Sequence, residues 1–313
     1  MIGALFGVFA AFSWGGGDFL GGLASRRLPT FFVVATSQAA ALALLVPVAL
    51  IAGGTAPSGN ALMTTALAGI VGGTGVLSLY HGFAHGRISI VASIAGTLAA
   101  LIPVGVSIAQ GEVPSLLRLF GFFMAIVSII IVSTSSVEHA VAGEAGAHAD
   151  ASSGAAARGG AIYGVTAGIC FAGFSLVFSS VDSDATVWLL TILRIASVSA
   201  LTLVFITARL VGRRPPGDEP IRAGAIPAGL LPRLRLLLLL AATGSGDTMG
   251  NLFFFLSSAE SGVAVAAVFT SIAPITTVIF AALLLGERVG ARQGLGIALA
   301  GLATIAIALG GVA

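Results

Sequence analysis

Apolar residues run along this chain in long blocks separated by short polar breaks, without the strict alternation of half-buried strands. The blocks long enough to cross roughly 30 Å of hydrocarbon at about 1.5 Å per helical residue are 2–22, 31–52, 63–82, 88–109, 117–134, 160–180, 187–208, 235–256, 263–285 and 293–311. They predict an all-α polytopic membrane protein of ten transmembrane helices. Most connections are so short that consecutive helices must be antiparallel neighbours. Two are longer. Residues 135–159 hold Glu138, His139, Glu144, His148, Asp150 and Arg158 among Ala, Gly and Ser, which reads as a flexible polar linker. Residues 209–234 hold Arg209, Arg213, Arg214, Arg222 and Arg233 with several prolines, which reads as an irregular basic loop.

Composition sharpens this picture by exclusion. Charged residues make up 8% of the chain, against about 25% in a soluble domain, and 57% are hydrophobic with a mean hydropathy of +1.10. An aqueous globule is excluded, and so is disorder, which needs low hydrophobicity and high charge. Glycine, 43 of 313 residues, is about twice its usual share of roughly 7%, yet has no collagen period. In membrane helices small residues let backbones approach, and Gly3/Gly7, Gly69/Gly73 and Gly164/Gly168 have the small-xxx-small spacing. The net charge of +2 is scattered, so no nucleic-acid partner is expected. Cys170 is the single cysteine, so an intramolecular disulfide is impossible. Residues 1–22 lack the basic start of a signal peptide and are expected to remain as the first span.

The arginines are unevenly placed. With linkers assigned alternately to the two sides, one side receives Arg26, Arg27, Arg87, Arg158, the five of the long loop with Arg235, Arg288 and Arg292; the other receives Arg118. By the positive-inside rule this puts both termini outside the cytoplasm, in a multi-pass protein of a bacterial-type cytoplasmic membrane.

The second half repeats the first. Gly3-Ala4-Leu5-Phe6-Gly7-Val8 matches Gly160-Ala161-Ile162-Tyr163-Gly164-Val165 at an offset of 157. Gly111-Glu112 matches Gly286-Glu287 and Gly121 matches Gly296, both at an offset of 175, the extra residues falling in the long basic loop. Each copy therefore carries five spans: a first repeat over 1–134, the linker 135–159, and a second repeat over 160–313. Five is odd, so the second copy is expected upside down, the inverted arrangement of secondary transporters.

Several motifs combine here. Each copy closes with Gly-Glu and, nine residues after the Glu, a Gly; Pro274 precedes Gly286 by twelve residues; and the first helix carries Phe12-Ser13-Trp14-Gly15-Gly16-Gly17-Asp18-Phe19. Together they make the chain resemble the EamA-type permeases of the drug/metabolite transporter superfamily, over nearly its whole length. The first copy departs from the pattern, with Ala99 where Pro274 has its counterpart and Pro103 one turn later. The resemblance implies cytoplasmic termini, opposite to the arginine count.

A charge at the centre of a span costs roughly 2.5–3.5 kcal/mol on insertion scales, so each needs a partner, a wet cavity or a function. Asp18 lies four residues after Trp14 on one helical face, suited to a cationic or amphipathic solute or to proton exchange, or else to the water interface beside Arg26. Arg194 is deep in the seventh span, and its counterpart at an offset of 156 is Gln38; the arginine either holds a substrate carboxylate or pairs with Asp18 or Asp247. Asp247 and Asn251 are one turn apart after Gly244 and Gly246. Tyr80, Ser93, Thr97, Thr270, Ser271 and Pro274 complete the expected pathway, Pro274 by kinking its helix. His81 and His85 share a face but have no third ligand nearby, so no metal is expected. Glu112 and Glu287 read as helix-start carboxylates.

The sequence favours a secondary transporter, a permease or exporter moving small organic metabolites or drugs by alternating access, driven by protons or by the solute's own gradient. No nucleotide-binding Gly-x-x-x-x-Gly-Lys is present, since the chain has no lysine. An intramembrane enzyme and a non-transporting membrane scaffold are the alternatives; no enzymatic activity, catalytic residue or cofactor is expected. The partners are a small solute, the lipid bilayer and, for assembly, a second copy in a homodimer.

Overall fold

The structure is a computed structural model, and it describes residues 2–85, 88–111, 114–117, 119–128, 131, 152–181, 185–215, 217–218, 226, 229–270, 272–285 and 290–309. Its helices are α1 (Ile2–Ser25), α2 (Thr30–Ala52), α3 (Gly59–His85), α4 (Ile88–Ala109), α5 (Leu119–Ser128), α6 (Ser152–Ser179), α7 (Thr186–Leu210), α8 (Leu230–Ser261), α9 (Val263–Thr270), α10 (Ala273–Leu285) and α11 (Ala291–Leu309). The protein is an all-α membrane protein. Ile2–Ser25, Thr30–Ala52, Gly59–His85, Gly160–Ser179 and Thr186–Leu210 are long and apolar enough to cross a bilayer by length and composition, and shorter apolar helices accompany them. Leu50, Ile51, Leu203, Leu210 and Leu237 are exposed on the outside, where lipid tails, being as apolar as leucine, solvate them.

Three boundaries differ from the hydropathy pattern. Helix α6 starts at Ser152, so the end of the expected flexible linker is helical; the part of that linker before it lies outside the described residues. Helix α8 starts at Leu230 and runs to Ser261, taking in the last residues of the expected basic loop. Pro232 is tolerated there because the first helical turn has no internal acceptor for its missing N–H. The third concerns the block 263–285, which is two helices. Ile272 forms a turn, its N–H donating to Phe269 O at 3.2 Å while Ile275 N–H returns to Ile272 O at 2.8 Å. Pro274 supplies the cause: it has no N–H for the carbonyl of residue 270, so the helix restarts with the proline in the first turn of α10. Helix α4 passes through Pro103 unbroken.

Helix α1 packs chiefly on α8, and α3 on α6; α4 packs on α6, and α9 and α10 on α1; α2 meets α7. Glycine sets these distances, and the close approaches recur. The Cβ position of Gly244 is filled by the backbone oxygen of Ser37, and that of Gly69 by the backbone oxygen of Leu193. Likewise the Trp14 ring lies over Gly250 and the Phe171 ring over Gly75. Each second contact is the first one moved through the offsets of 156, 157 or 175 found in the sequence. Buried hydroxyls tie helices further: Ser257 Oγ donates to Gly3 O at 2.8 Å and Thr277 Oγ1 to Gly15 O at 3.1 Å.

Among the described residues two large apolar clusters form the core, with a small third one of Val104, Phe122 and Val268. Of the large two, one gathers Val33, Val34, Tyr80, Phe83 and Val91; the other gathers Ala10, Phe174, Phe178, Leu189, Leu193 and Phe254. A cavity lies between them and takes wall residues from both.

Candidate functional site

The cavity is built where seven helices, α1, α3, α4, α6, α7, α8 and α10, converge on small residues. Gly72 and Gly73 of α3 and Ala92, Ala95, Gly96 and Ala99 of α4 leave the space that larger side chains would fill. Its open volume is about 80 Å³ measured as room for the centres of water molecules. One water needs about 10–15 Å³ by that measure, so the cavity admits several waters or a small organic group. The polar side chains of this otherwise apolar lining are Trp14, Asp18, Ser175, Arg194, Asp247 and Asn251.

Helices α1 and α8 bring most of them. The two approach until a Cβ on Gly246 would lie 2.9 Å from Ser13 O and one on Gly17 3.1 Å from Thr243 O. That closeness places Trp14 and Asp18 of α1 opposite Asp247 and Asn251 of α8, each pair one turn apart. The Trp14 indole N–H donates to Asn251 Oδ1 at 3.1 Å and to Asp247 O at 3.2 Å, and the ring is packed between Phe174 and Phe254 at 6.3 and 5.8 Å.

Arg194 comes from α7 and is 2% exposed. Its Nη1 donates to Asp247 Oδ2 at 2.6 Å and to Gln38 Oε1, and its Nε donates to Thr248 Oγ1 at 3.1 Å. Gln38 Nε2 donates in turn to the same Asp247 oxygen at 3.2 Å. The arginine therefore pairs with Asp247, and its repeat counterpart Gln38 is a direct partner of both. Such a charge-assisted network compensates much of the cost of burial. Nη2 is buried without a hydrogen-bond partner.

Asp18 is half-buried and lines the cavity. Behind it stands Tyr80 on α3, 1% exposed and stacked on Phe83, with its hydroxyl 3.4 Å from Gly17 O and close to the Asp18 carboxyl.

Of the residues expected from sequence, Trp14, Asp18, Arg194, Asp247 and Asn251 line one chamber, and Gln38 and Tyr80 support it from behind. Thr97 is half-buried on α4, whose cavity wall is made of its alanines and Gly96. The side chains of Ser93, Thr270 and Pro274, and the residues Ser271, Glu112 and Glu287, lie outside the described residues. His81 and His85 stack at 4.1 Å with Tyr163 edge-on to His81 at 4.5 Å; among the described residues no group of three metal-ligating side chains occurs. Sequence reasoning missed Phe171, Phe174 and Ser175 of α6 and the small residues of α3 and α4. The repeat held the signal, because the offset of 157 carries Trp14 and Asp18 onto Phe171 and Ser175, and both of those line the cavity.

A bundle of membrane helices enclosing a chamber lined in part by polar side chains is the architecture of a membrane carrier rather than of a soluble binding protein. The family comparison makes this specific. The model of the EamA-like transporter family matches residues 1–134 and 158–309, and the chain belongs to that family: it is a multi-pass membrane transporter of the drug/metabolite superfamily. A solved crystal structure of a protein 14% identical in sequence superposes with a TM-score of 0.66, covering 98% of this chain and 97% of that one; at such identity the likeness concerns the fold. No significant match is found among the curated proteins.

Proposed function

We propose that the protein is a secondary carrier that moves a small organic solute through this cavity by alternating access, as two inverted five-helix repeats rock about it. The observation that carries the reading is the cavity itself, with Asp18, Arg194 and Asp247 in the lining of an otherwise apolar chamber between helices of both halves. The reciprocal glycine contacts, Gly244 on Ser37 and Gly69 on Leu193, support a pseudo-two-fold relation between the halves. Inverted-repeat carriers bind solute at such an interface, near broken helices, and the α9–α10 break beside wall residue Ala273 fits that pattern. Two such halves can exchange roles by a small rotation, opening the chamber to either side in turn.

The test is uptake and efflux of a labelled metabolite panel in proteoliposomes, with and without an imposed pH gradient. Movement of at least one solute, lost in a variant that fills the cavity at Gly72, is the expected result. A folded protein that moves nothing under either condition refutes the carrier reading. Stimulation by the gradient identifies protons as the coupling ion, and indifference to it leaves the solute's own gradient.

A further inference from the structure

The charged groups of the cavity are unequal partners. Asp247 is occupied by Arg194 and Gln38, whereas Asp18 makes no ion pair with another described residue and has the neutral Tyr80 hydroxyl as a neighbour. Their exposures differ in the same sense. Arg194 is 2% exposed and its Nη1 and Nε are engaged by Asp247, Gln38 and Thr248, with Nη2 buried and unpartnered among the described residues, while the half-buried Asp18 carboxyl lines the open space. Two carboxylates beside one guanidinium sum to one negative charge. A bound monocation brings that sum to zero; an anion doubles it in a chamber whose few polar atoms cannot compensate.

The aromatic lining points the same way. Trp14 and its repeat counterpart Phe171 both line the chamber, with Phe174 next to them. Aromatic faces carry negative potential and attract cations, tryptophan most strongly. Apart from Ser175 and Asn251, whose Oγ and Oδ1 are bonded to Phe171 O and to the Trp14 indole, the remaining wall is Gly, Ala, Val and Leu, which suits a compact apolar body and offers little to a polyhydroxylated one.

Resting on the carrier reading, we propose that the solute is an organic monocation, a protonated amine on an apolar, ring-sized body. Its ammonium sits on the Asp18 carboxylate and its body packs against Trp14 and Phe171. Asp247 and Arg194 then form a fixed internal pair, and Asp18 alone reads the charge of the cargo.

The experiment uses a convenient property of the chain. It has two tryptophans, and Trp188 lies away from the cavity with its indole N–H donating to Gly53 O at 3.2 Å. Trp188→Phe leaves Trp14 as the single tryptophan reporter, inside the site. The full-length variant in detergent is titrated at neutral pH with four ligands that share one phenyl body: 2-phenylethylamine, phenylalanine, 2-phenylethanol and 3-phenylpropionate. The amine is expected to give a saturable change in Trp14 fluorescence, with the other three at least tenfold weaker. Asp18→Asn in that background is expected to weaken the amine at least tenfold, and Asp18→Glu to retain it. Tighter or equal binding of the anion or the zwitterion overturns the proposal, as does amine affinity indifferent to Asp18→Asn, or no saturable binding by any of the four. Should Asp18→Asn fail to fold, the order of the four ligands on the Asp18 protein decides alone. The same ligands in proteoliposomes separate the two claims. Amine binding without transport sinks the carrier reading, whereas transport of the anion without amine binding leaves that reading standing and sinks this one.

Discussion

Replacing Asp247 by Asn is expected to destabilise the protein more than replacing Arg194 by Gln, and the double variant is expected to recover most of the loss. The reason is what each change leaves behind. Asp247→Asn keeps an amide oxygen for Nη1 but leaves a guanidinium at 2% exposure without its adjacent counter-charge. Removing one partner of a buried pair costs about 3–5 kcal/mol. The lower end applies here because Asp18 remains in the same chamber, so the expected cost is about 3 kcal/mol, roughly a hundredfold in the folded-to-unfolded ratio. Arg194→Gln leaves Asp247 at 15% side-chain exposure, still accepting from Gln38 Nε2 and open to cavity water. That milder orphan is expected to cost about 1–2 kcal/mol, in the range of an imperfectly satisfied polar group. With both charges of the pair gone, the residues left are neutral amides that can bond to each other and to Gln38, and neither member of the pair is left as a buried charge. Reversible unfolding in mixed micelles, followed by circular dichroism against denaturing detergent, gives the three values in one cycle. Strictly additive losses, or Arg194→Gln costing more than Asp247→Asn, would show that the pair is not what makes the charges tolerable.

Other consequences are simpler. Gly244→Leu is expected to abolish folded expression, because its Cβ position is filled by the Ser37 carbonyl oxygen, while Gly105→Leu, with open space at Cβ, is expected to leave the melting temperature within a few degrees; equal tolerance at both sites contradicts the helix contacts. Pro274→Ala restores an N–H for the carbonyl of residue 270, so the α9–α10 segment is expected to become more stable and transport slower, and parallel changes in melting temperature and rate would argue against a working hinge there. Topology reporters fused after Ala313 are expected to read outside the cytoplasm if the arginine asymmetry governs insertion, and a cytoplasmic signal would give the orientation to the family pattern instead.

The length of the apolar blocks made most helices visible in the sequence, since one physical requirement, spanning hydrocarbon, sets it. Their ends were less visible. Leu230 and Leu231 begin α8 beside Pro232, Arg233 and Arg235, where polarity suggested a loop, because a helix can project from the apolar zone without changing its hydrogen bonding. The break at Ile272 was legible in kind, from Pro274, though not as two separate helices. At the site, the isolated charges stood out because charge is costly in lipid, and Asp18, Arg194 and Asp247 do meet at one chamber. Which carboxylate pairs with Arg194 was not legible. That choice depends on the approach of α2, α7 and α8 to within hydrogen-bond distance, set by glycines whose individual partners no spacing rule reveals.

The repeat explains why the chamber has a chemical direction that its fold lacks. Through the offsets of 156, 157 and 175, Trp14 corresponds to Phe171, Asp18 to Ser175, Gln38 to Arg194 and Gly72 to Asp247. The backbone contacts and the aromatic walls obey this correspondence, while every charge in the chamber appears in one copy alone. Tyr80 follows the same rule, since its counterpart is Phe255, which has no hydroxyl to offer Ser175. On the proposed carrier mechanism, the two halves would open the chamber alternately to either side. A fully symmetric set would carry each of the three charges twice, four carboxylates with two guanidinium groups, and so two equivalent unpaired carboxylates for cargo rather than one. Arg194 in one copy against Gln38 in the other leaves a single cation to satisfy Asp247, and so leaves Asp18 available. On the proposed reading, the divergence of the two copies thus converts a sequence duplication into one binding site with one unpaired carboxylate.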